Sequence, residues 1–544
     1  MKLLRVHVIS ADTCGGLLDG LDLWLRSPAD GDVTFDPLCF VGPNGSGKSQ
    51  FLQVLAEIFQ SIFHSCIGSD ERIEGNPNLQ FEIEYLIRPS VKKPFIQVQI
   101  SRKSEGKRRG TIVIRRKDGD EWKNCELQLP STRQLLPQKI VAYTSGNNET
   151  LSLPFLVSRS GYAKEVADLA WSEKQNKTIP DTRLMLIDYE THLEVLVSNL
   201  LMGNKYQQTT LLQDALLKDL HSFRCIIQLA HSAAPKAPGK KRDSEKGRKK
   251  IQLTEELERY LDNLRRCATC SSYDEKSEKY IFDFWINDET RRAFKSFWNT
   301  TLDLYSSLHK LSMLNDLAIP KSTRERFKRD AAIRRFASRL PEPQDEEKVF
   351  RFAQVCFVPK ARSSIVDYVS LSDGEHQHAQ ILGMFCMMSF SNVLFLLDEP
   401  ESHFNPQWRV KFISQVHEIP TKYGIRKGKT NATEQECILT THAPFVPSDM
   451  QRNKVFIFSK PENENRVIVR HPDIETFGTT FDTILEECFD VRPPISRVSM
   501  EEIERLRKSD NADEIRTGIR RLGDSVEKVF LADRLRQLTK KGGK

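Results

Sequence analysis

With 544 residues and a mass of 62.6 kDa, the chain is long enough to bury a large core and to hold two or three structural units. Its 39% hydrophobic and 28% charged residues describe an ordinary, somewhat polar protein, and no apolar run reaches membrane-spanning length, so no membrane is expected and the cytoplasm is the expected location. The net charge of +7 is unevenly placed: Arg102–Lys117 carries +7, Lys236–Lys250 +6 and Lys321–Arg335 +5, leaving the remainder acidic, a distribution that suits a polyanionic partner.

The N-terminal stretch Met1–Ile9 alternates like a strand and has no cleavage site, so it does not read as a signal peptide. A second strand, Pro37–Val41, leads into Gly42-Pro43-Asn44-Gly45-Ser46-Gly47-Lys48-Ser49, which fits the G-x4-G-K-S phosphate loop. Phe51, Leu52, Val54, Leu55, Ile58, Phe59 and Ile62 then recur at helical spacing. A strand, a glycine-rich turn and a helix start place consecutive backbone N–H groups around an anion. Asn44, Gly45, Gly47, Lys48, Ser49 and Gln50 are therefore expected to hold ATP, with Lys48 at the β- and γ-phosphates and Ser49 on Mg2+.

Alternating runs at Phe81–Tyr85, Phe95–Ile100 and Thr111–Ile114, followed by the turn signal Asp118-Gly119, predict an antiparallel meander. From Leu186 to Arg339 the period becomes helical. Leu212, Leu216, Leu220, Phe223 and Ile227 are expected on one helix face, and Leu253, Leu257, Leu261 and Leu264 on another, capped by Thr254. The Lys-, Gly-, Pro- and Ser-rich stretch 233–250 reads as a basic loop between them. The eleven cysteines are scattered; only Cys267 and Cys270 have metal or redox spacing, and without a second pair they read as two reduced thiols.

Strands return near Val349. The run Val393–Leu397 suits a strand buried on both faces and ends in Asp398-Glu399-Pro400. A carboxylate there is costly unless it meets a cation, so Asp398 is expected on Mg2+ and Glu399 as the base for an attacking water. Thr440-Thr441-His442 ends the next strand, which puts His442 beside the γ-phosphate in a parallel sheet. Before it comes Leu371-Ser372-Asp373-Gly374-Glu375, ahead of a helix predicted over His376–Met387. Ser372, Gly374 and Glu375 are expected to form a second phosphate grip. The tail from Ser499 reads as helical and charged.

Gly42–Ser49, then Leu371–Glu375, then Leu394–Pro400 together resemble, in that chain order, an ABC-type, SMC-like P-loop ATPase head. That fold is α/β with an antiparallel β subdomain, here joined to a helical insertion and a helical C-terminal tail. The resemblance implies an N-terminal lobe over 1–185, an insertion over 186–345, a C-terminal lobe over 346–490 and a tail over 491–544. It also implies that Ser372 lies too far from its own Lys48 to share a nucleotide, so that a homodimer sandwiches two ATP molecules. Glu401-Ser402-His403 resembles the dimer-crossing loop of such heads, and Asn147 or Asn148 are candidates for the glutamine-loop position.

A narrower resemblance is to the PtuA-type ATPases of Septu anti-phage systems, including the retron-associated subgroup. It is carried by Ser372–Gln377, Asp398–His403, Glu475–Asp482 and Gly523–Lys528. It implies a regulatory ATPase that controls a separate HNH nuclease of the PtuB type, and in retron versions a reverse transcriptase with its multicopy single-stranded DNA (msDNA). The alternative is an SMC- or RecF-like DNA-repair clamp acting directly on DNA. For either, neutralising about five phosphates predicts a log–log salt slope near roughly −4.5.

Overall fold

The computed structural model describes residues 1–541 except 28–34, 91–92, 105–108, 147–148, 171, 173–175, 190, 236–248, 333–342, 362–363, 422–423, 427–433 and 462–465. It is mixed α/β, with several sheets and a helical C-terminal segment. A seven-stranded sheet runs in the order Ile468–Arg470, Val455–Ser459, Leu38–Val41, Glu436–Thr440, Val393–Asp398, Lys139–Thr144 and Leu184–Ile187. Every neighbouring pair is parallel except the antiparallel edge formed by Ile468–Arg470. Leu38–Val41, Val393–Asp398 and Glu436–Thr440 are buried at every position, which is why Leu38–Val41, Val393–Leu397 and Cys437–Leu439 read as apolar runs and not as alternation.

The helix after the glycine-rich loop spans Lys48–Cys66. Its Phe51, Leu55, Phe59 and Ile62 share one core with Leu396 and Ile438 of the parallel sheet and with Val6, Ile83 and Ile100 of a second sheet. That second sheet is the expected meander extended to six antiparallel strands, ordered Leu21–Trp24, Lys2–Ser10, Gln80–Ile87, Ile96–Arg102, Ile112–Asp118 and Glu121–Cys125. The turn at Asp118-Gly119 joins its last two strands, with Asp118 opposite Glu121. Contact with two sheets explains a helix buried around nearly its whole circumference, polar Gln53, Glu57, Gln60 and Ser61 included.

The region expected to be helical is only partly so. Helices His192–Met202, Lys205–Leu212, Glu255–Cys267, Asp288–Phe297 and Thr301–Ser312 are present, but Leu217–Gln228 is a strand. It lies at the centre of a five-stranded sheet ordered Cys270–Asp274, Lys279–Trp285, Leu217–Gln228, Phe350–Pro359 and Val366–Asp367. The misreading has a physical cause. Register shifts between Leu217 and Asp219 and between Leu220 and Ser222 re-aim the strand, so that Leu217, Leu220 and Phe223 are all buried at a spacing of three. Helical spacing was thus imitated by bulges, while Phe223, Ile226 and Ile227 carried the strand preference.

Thr254 does occupy the cap position of Glu255–Cys267, yet its hydroxyl makes no capping hydrogen bond. Glu256 of the first turn points inward instead, to a buried ion pair with Lys310 at 2.7 Å. Cys267 and Cys270 are free thiols, one buried and one exposed. The basic loop expected over 233–250 falls mostly outside the described residues, as do Asn147 and Asn148.

Residues Met1–Phe477 form one compact unit and Gly478–Lys544 a second. The second consists of helices Phe481–Phe489, Arg497–Lys508, Ala512–Arg521 and Val526–Lys541 around Ile503, Leu506 and Leu531. No helix among the described residues is long and apolar enough to cross a membrane.

Candidate functional site

The parallel register brings the sequence motifs to one edge. Asp398 stands opposite Thr440 on one side and Thr144 on the other, and Thr440 stands opposite Phe40, two residues before Gly42. The loops leaving Val41, Asp398 and Thr440 therefore emerge side by side at the carboxyl ends of three neighbouring strands, where an α/β sheet leaves a crevice.

Backbone geometry fixes the glycine-rich loop Gly42–Ser49. Gly42 has φ +130°, and a Cβ there would fall 2.1 Å from Phe458 O, so only glycine lets the chain turn against the neighbouring strand. Pro43, Asn44 and Gly45 are exposed, whereas Lys48 is buried. Its Nζ donates to Gly42 O at 2.9 Å and Pro43 O at 3.0 Å, folding the ammonium back over the loop. Burial pushes the Lys48 pKa down to about 8, against the opposing pull of Glu399 and Asp398. Ser46 Oγ is buried without a hydrogen-bond partner. A buried ammonium resting on carbonyls, an orphaned hydroxyl and the start of a 19-residue helix together fit a polyphosphate.

Ser49 Oγ donates to Asp398 Oδ1 at 2.9 Å, and Thr440 Oγ1 donates to the same oxygen at 2.6 Å. Ser49 and Asp398 are hard oxygen donors of the kind Mg2+ takes. Thr440 also accepts the backbone N–H of Glu399 at 3.1 Å, so one hydroxyl orders both acidic residues. The string Thr440-Thr441-His442 suggested only His442; the role of Thr440 depends on strand register.

Glu399 has φ +47°, a left-handed conformation that costs a non-glycine residue about 1–2 kcal/mol. The turn aims its carboxylate at His442, whose Nε2 lies 3.2 Å from Glu399 Oε1. That hydrogen bond holds the Glu399 carboxyl below the usual carboxylate range despite burial, with further help from the charges of His442 and Lys48. Glu399 and His442 are both partly open to solvent, with side-chain exposures of 39% and 34%.

The predicted second grip starts earlier than expected. The helix spans Asp373–Met387, with Ser372 as its N-cap, so Gly374 and Glu375 lie in the first turn. Glu375 N–H donates to Ser372 Oγ, and the Glu375 carboxylate accepts Ser372 N–H at 2.7 Å and the Ser372 hydroxyl at 2.8 Å. The anion held at this helix start is thus its own carboxylate. A Cβ on Gly374 would fall 2.7 Å from His403 O, so this helix start packs closely on the loop after Val393–Asp398. Gln377 holds the same loop, donating to Ser402 Oγ at 3.2 Å and accepting His403 N–H at 2.9 Å. No described hydrogen bond or ion pair joins residues 371–375 to residues 42–50.

The basic segments divide on inspection. Arg102 is buried and donates to Leu79 O at 2.7 Å and to Asn76 O, while Lys103 pairs with Glu82 and Arg109 with Glu74. Lys103 and Arg109 remain exposed despite their pairing, as do Arg115, Arg116 and Lys117 on the strand next to the edge of the antiparallel sheet.

A scan against models of known protein families finds no match to this chain.

Proposed function

We propose that the chain is an ATPase whose head has the ABC-type, SMC-like P-loop architecture, and that it acts as the regulatory subunit of an anti-phage complex. The observation that carries the enzymatic reading is the convergence of Lys48, the Ser49–Asp398 pair and the Glu399–His442 pair at one edge of the parallel sheet. Lys48 and the loop amides would hold the triphosphate. Ser49 and Asp398 would hold Mg2+, which neutralises phosphate charge when bound. Glu399, kept ionised by His442, accepts a proton from a water as its oxygen bonds to the γ-phosphorus. The bond from that phosphorus to the β–γ bridging oxygen breaks, leaving ADP and phosphate.

The resemblance to ABC-type heads, with Ser372 capping the helix Asp373–Met387, favours a role for Ser372 and Gly374 on a second copy's nucleotide. A homodimer with two shared sites follows. The likeness to PtuA-type ATPases supports an HNH nuclease as the controlled partner, with a reverse transcriptase and msDNA as further components of retron versions.

The test is turnover per protomer measured across protein concentration, with Ser372→Arg alongside. Turnover should rise with concentration as protomers pair, and S372R should abolish it while nucleotide affinity stays within about threefold. An isolated protomer hydrolysing ATP at full rate, or an S372R variant with normal turnover, would defeat the shared-site reading.

A further inference from the structure

Two residues beyond Glu399 in the chain lies a second acid that the proposed chemistry does not use. Glu401 is 2% exposed and makes no ion pair among the described residues. One carboxyl oxygen accepts the hydroxyl of Thr441, itself fully buried, and the other has no hydrogen-bond partner. Burial raises its pKa to about 7, and the charge of Glu399 acts in the same direction. Arg409, from the helix Pro406–Glu418, opposes this from a distance. Its own guanidinium is engaged with Phe404 O at 2.9 Å and Ser402 O at 2.8 Å. Among the described residues Tyr143, on the strand Lys139–Thr144, also feels the charge of Glu401.

Thr441 is the residue before His442, and it is tied on three sides. Its N–H donates to Phe40 O at 3.1 Å, its hydroxyl donates to Glu401, and the same hydroxyl accepts Ala443 N–H at 2.9 Å. His442 is therefore carried between two residues fixed by a single hydroxyl. The two loops are cross-linked twice, Glu399 to His442 near the surface and Glu401 to Thr441 beneath it.

We propose that Glu401 is a positioning residue for hydrolysis, its buried carboxyl group anchoring Thr441 so that the His442 imidazole meets Glu399. The inference rests on the ATPase reading above. An unpaired carboxyl in a dry site is a costly way to brace a loop. What it provides is an acceptor fixed on the same loop as the base, so displacement of one loop moves both catalytic side chains together.

The experiment compares kcat, KM and thermal midpoint for the unmodified chain, Glu401→Ala, Glu401→Gln, Thr441→Val and Thr441→Ser. E401A and T441V should lose about 10–100-fold in kcat with KM nearly unchanged, the cost of a misplaced catalytic pair. E401Q and T441S, which keep an acceptor and a hydroxyl, should recover most of kcat. Should E401A not fold, the T441V and T441S pair decides alone. Normal kcat in E401A or T441V overturns the proposal. So does a set in which the conservative variants are no better than the truncated ones, or in which kcat loss follows thermal midpoint and not the acceptor. Absence of hydrolysis by the unmodified chain would instead defeat the ATPase reading.

Discussion

Ser49 and Asp398 are 349 residues apart and meet through a 2.9 Å hydrogen bond. The contact is made possible by the strand Glu436–Thr440, which lies between the strands that lead to each of them. Thr440 at its end donates to the same Asp398 oxygen and receives Glu399 N–H, so a residue of the middle strand holds both acids in place. Removing its hydroxyl leaves Asp398 and a backbone N–H short of partners in a buried place.

Thr440→Val keeps the shape and removes only that hydroxyl. It should cost about 1–3 kcal/mol of stability, the range for a buried group left without its partner. Turnover should fall several-fold as Glu399 loses its backbone anchor. Thr440→Ser should behave nearly as the unmodified chain. Denaturant unfolding together with steady-state hydrolysis of both variants checks this.

Glu399→Gln preserves size and one hydrogen-bonding oxygen but cannot take a proton from water. Hydrolysis should drop by roughly 10²–10⁴ while ATP still binds, because no phosphate-holding group is touched. Nucleotide affinity and single-turnover rates measured on the same preparation separate the two effects. A variant hydrolysing at the normal rate would remove Glu399 from the role of base.

How much of this was readable beforehand depends on which interactions are local. The glycine-rich loop follows from residues within one turn, and Gly42 and Lys48 stand where the spacing places them. Asp398 is legible because it ends an apolar run buried on both faces, and His442 because it follows the buried strand Glu436–Thr440 by two residues. Thr440 is not, since its importance arises only when its strand sits opposite Asp398 in parallel register. Leu217–Gln228 was misread because bulges gave a strand the burial spacing of a helix. Arg102 was counted as surface charge, though its guanidinium is turned inward to backbone carbonyls. Charge position in sequence does not report which way a side chain faces.

Nucleotide affinity should depend on pH through Lys48. Burial lowers its folded-state pKa to about 8 from an ordinary value of 10.5, so the free protein loses this proton at lower pH than the unfolded chain. Two consequences follow. Between about pH 8 and 10.5 the unfolded state binds the extra proton, so this group's contribution to stability rises with pH. Triphosphate restores charge balance and favours the ammonium, so affinity is fully present below pH 8 and declines as pH rises through it. Calorimetric titration near pH 8.5 should detect proton uptake on ATP binding, and Lys48→Ala should abolish that uptake.

Binding of nucleic acid, if it uses the segment 102–117, should involve fewer phosphates than the residue count suggests. Among its described cations Arg102 is buried and Lys103 and Arg109 are already paired, which leaves Arg115, Arg116 and Lys117 on one exposed strand. Arg115 is held by Asn124 at 3.2 Å, and strand alternation turns Arg116 to the opposite face from Arg115 and Lys117. Three phosphate contacts predict a log–log salt slope of about −2.7 on duplex DNA, against the roughly −4.5 expected from five. Replacing Arg116 and Lys117 by Glu should remove most of the salt dependence contributed by this segment. The slope for single-stranded DNA should be shallower, near about −2, because its charge density is lower. Titrating a labelled oligonucleotide at four or five salt concentrations measures both slopes. Values that do not change in the double variant would show that another surface holds the nucleic acid.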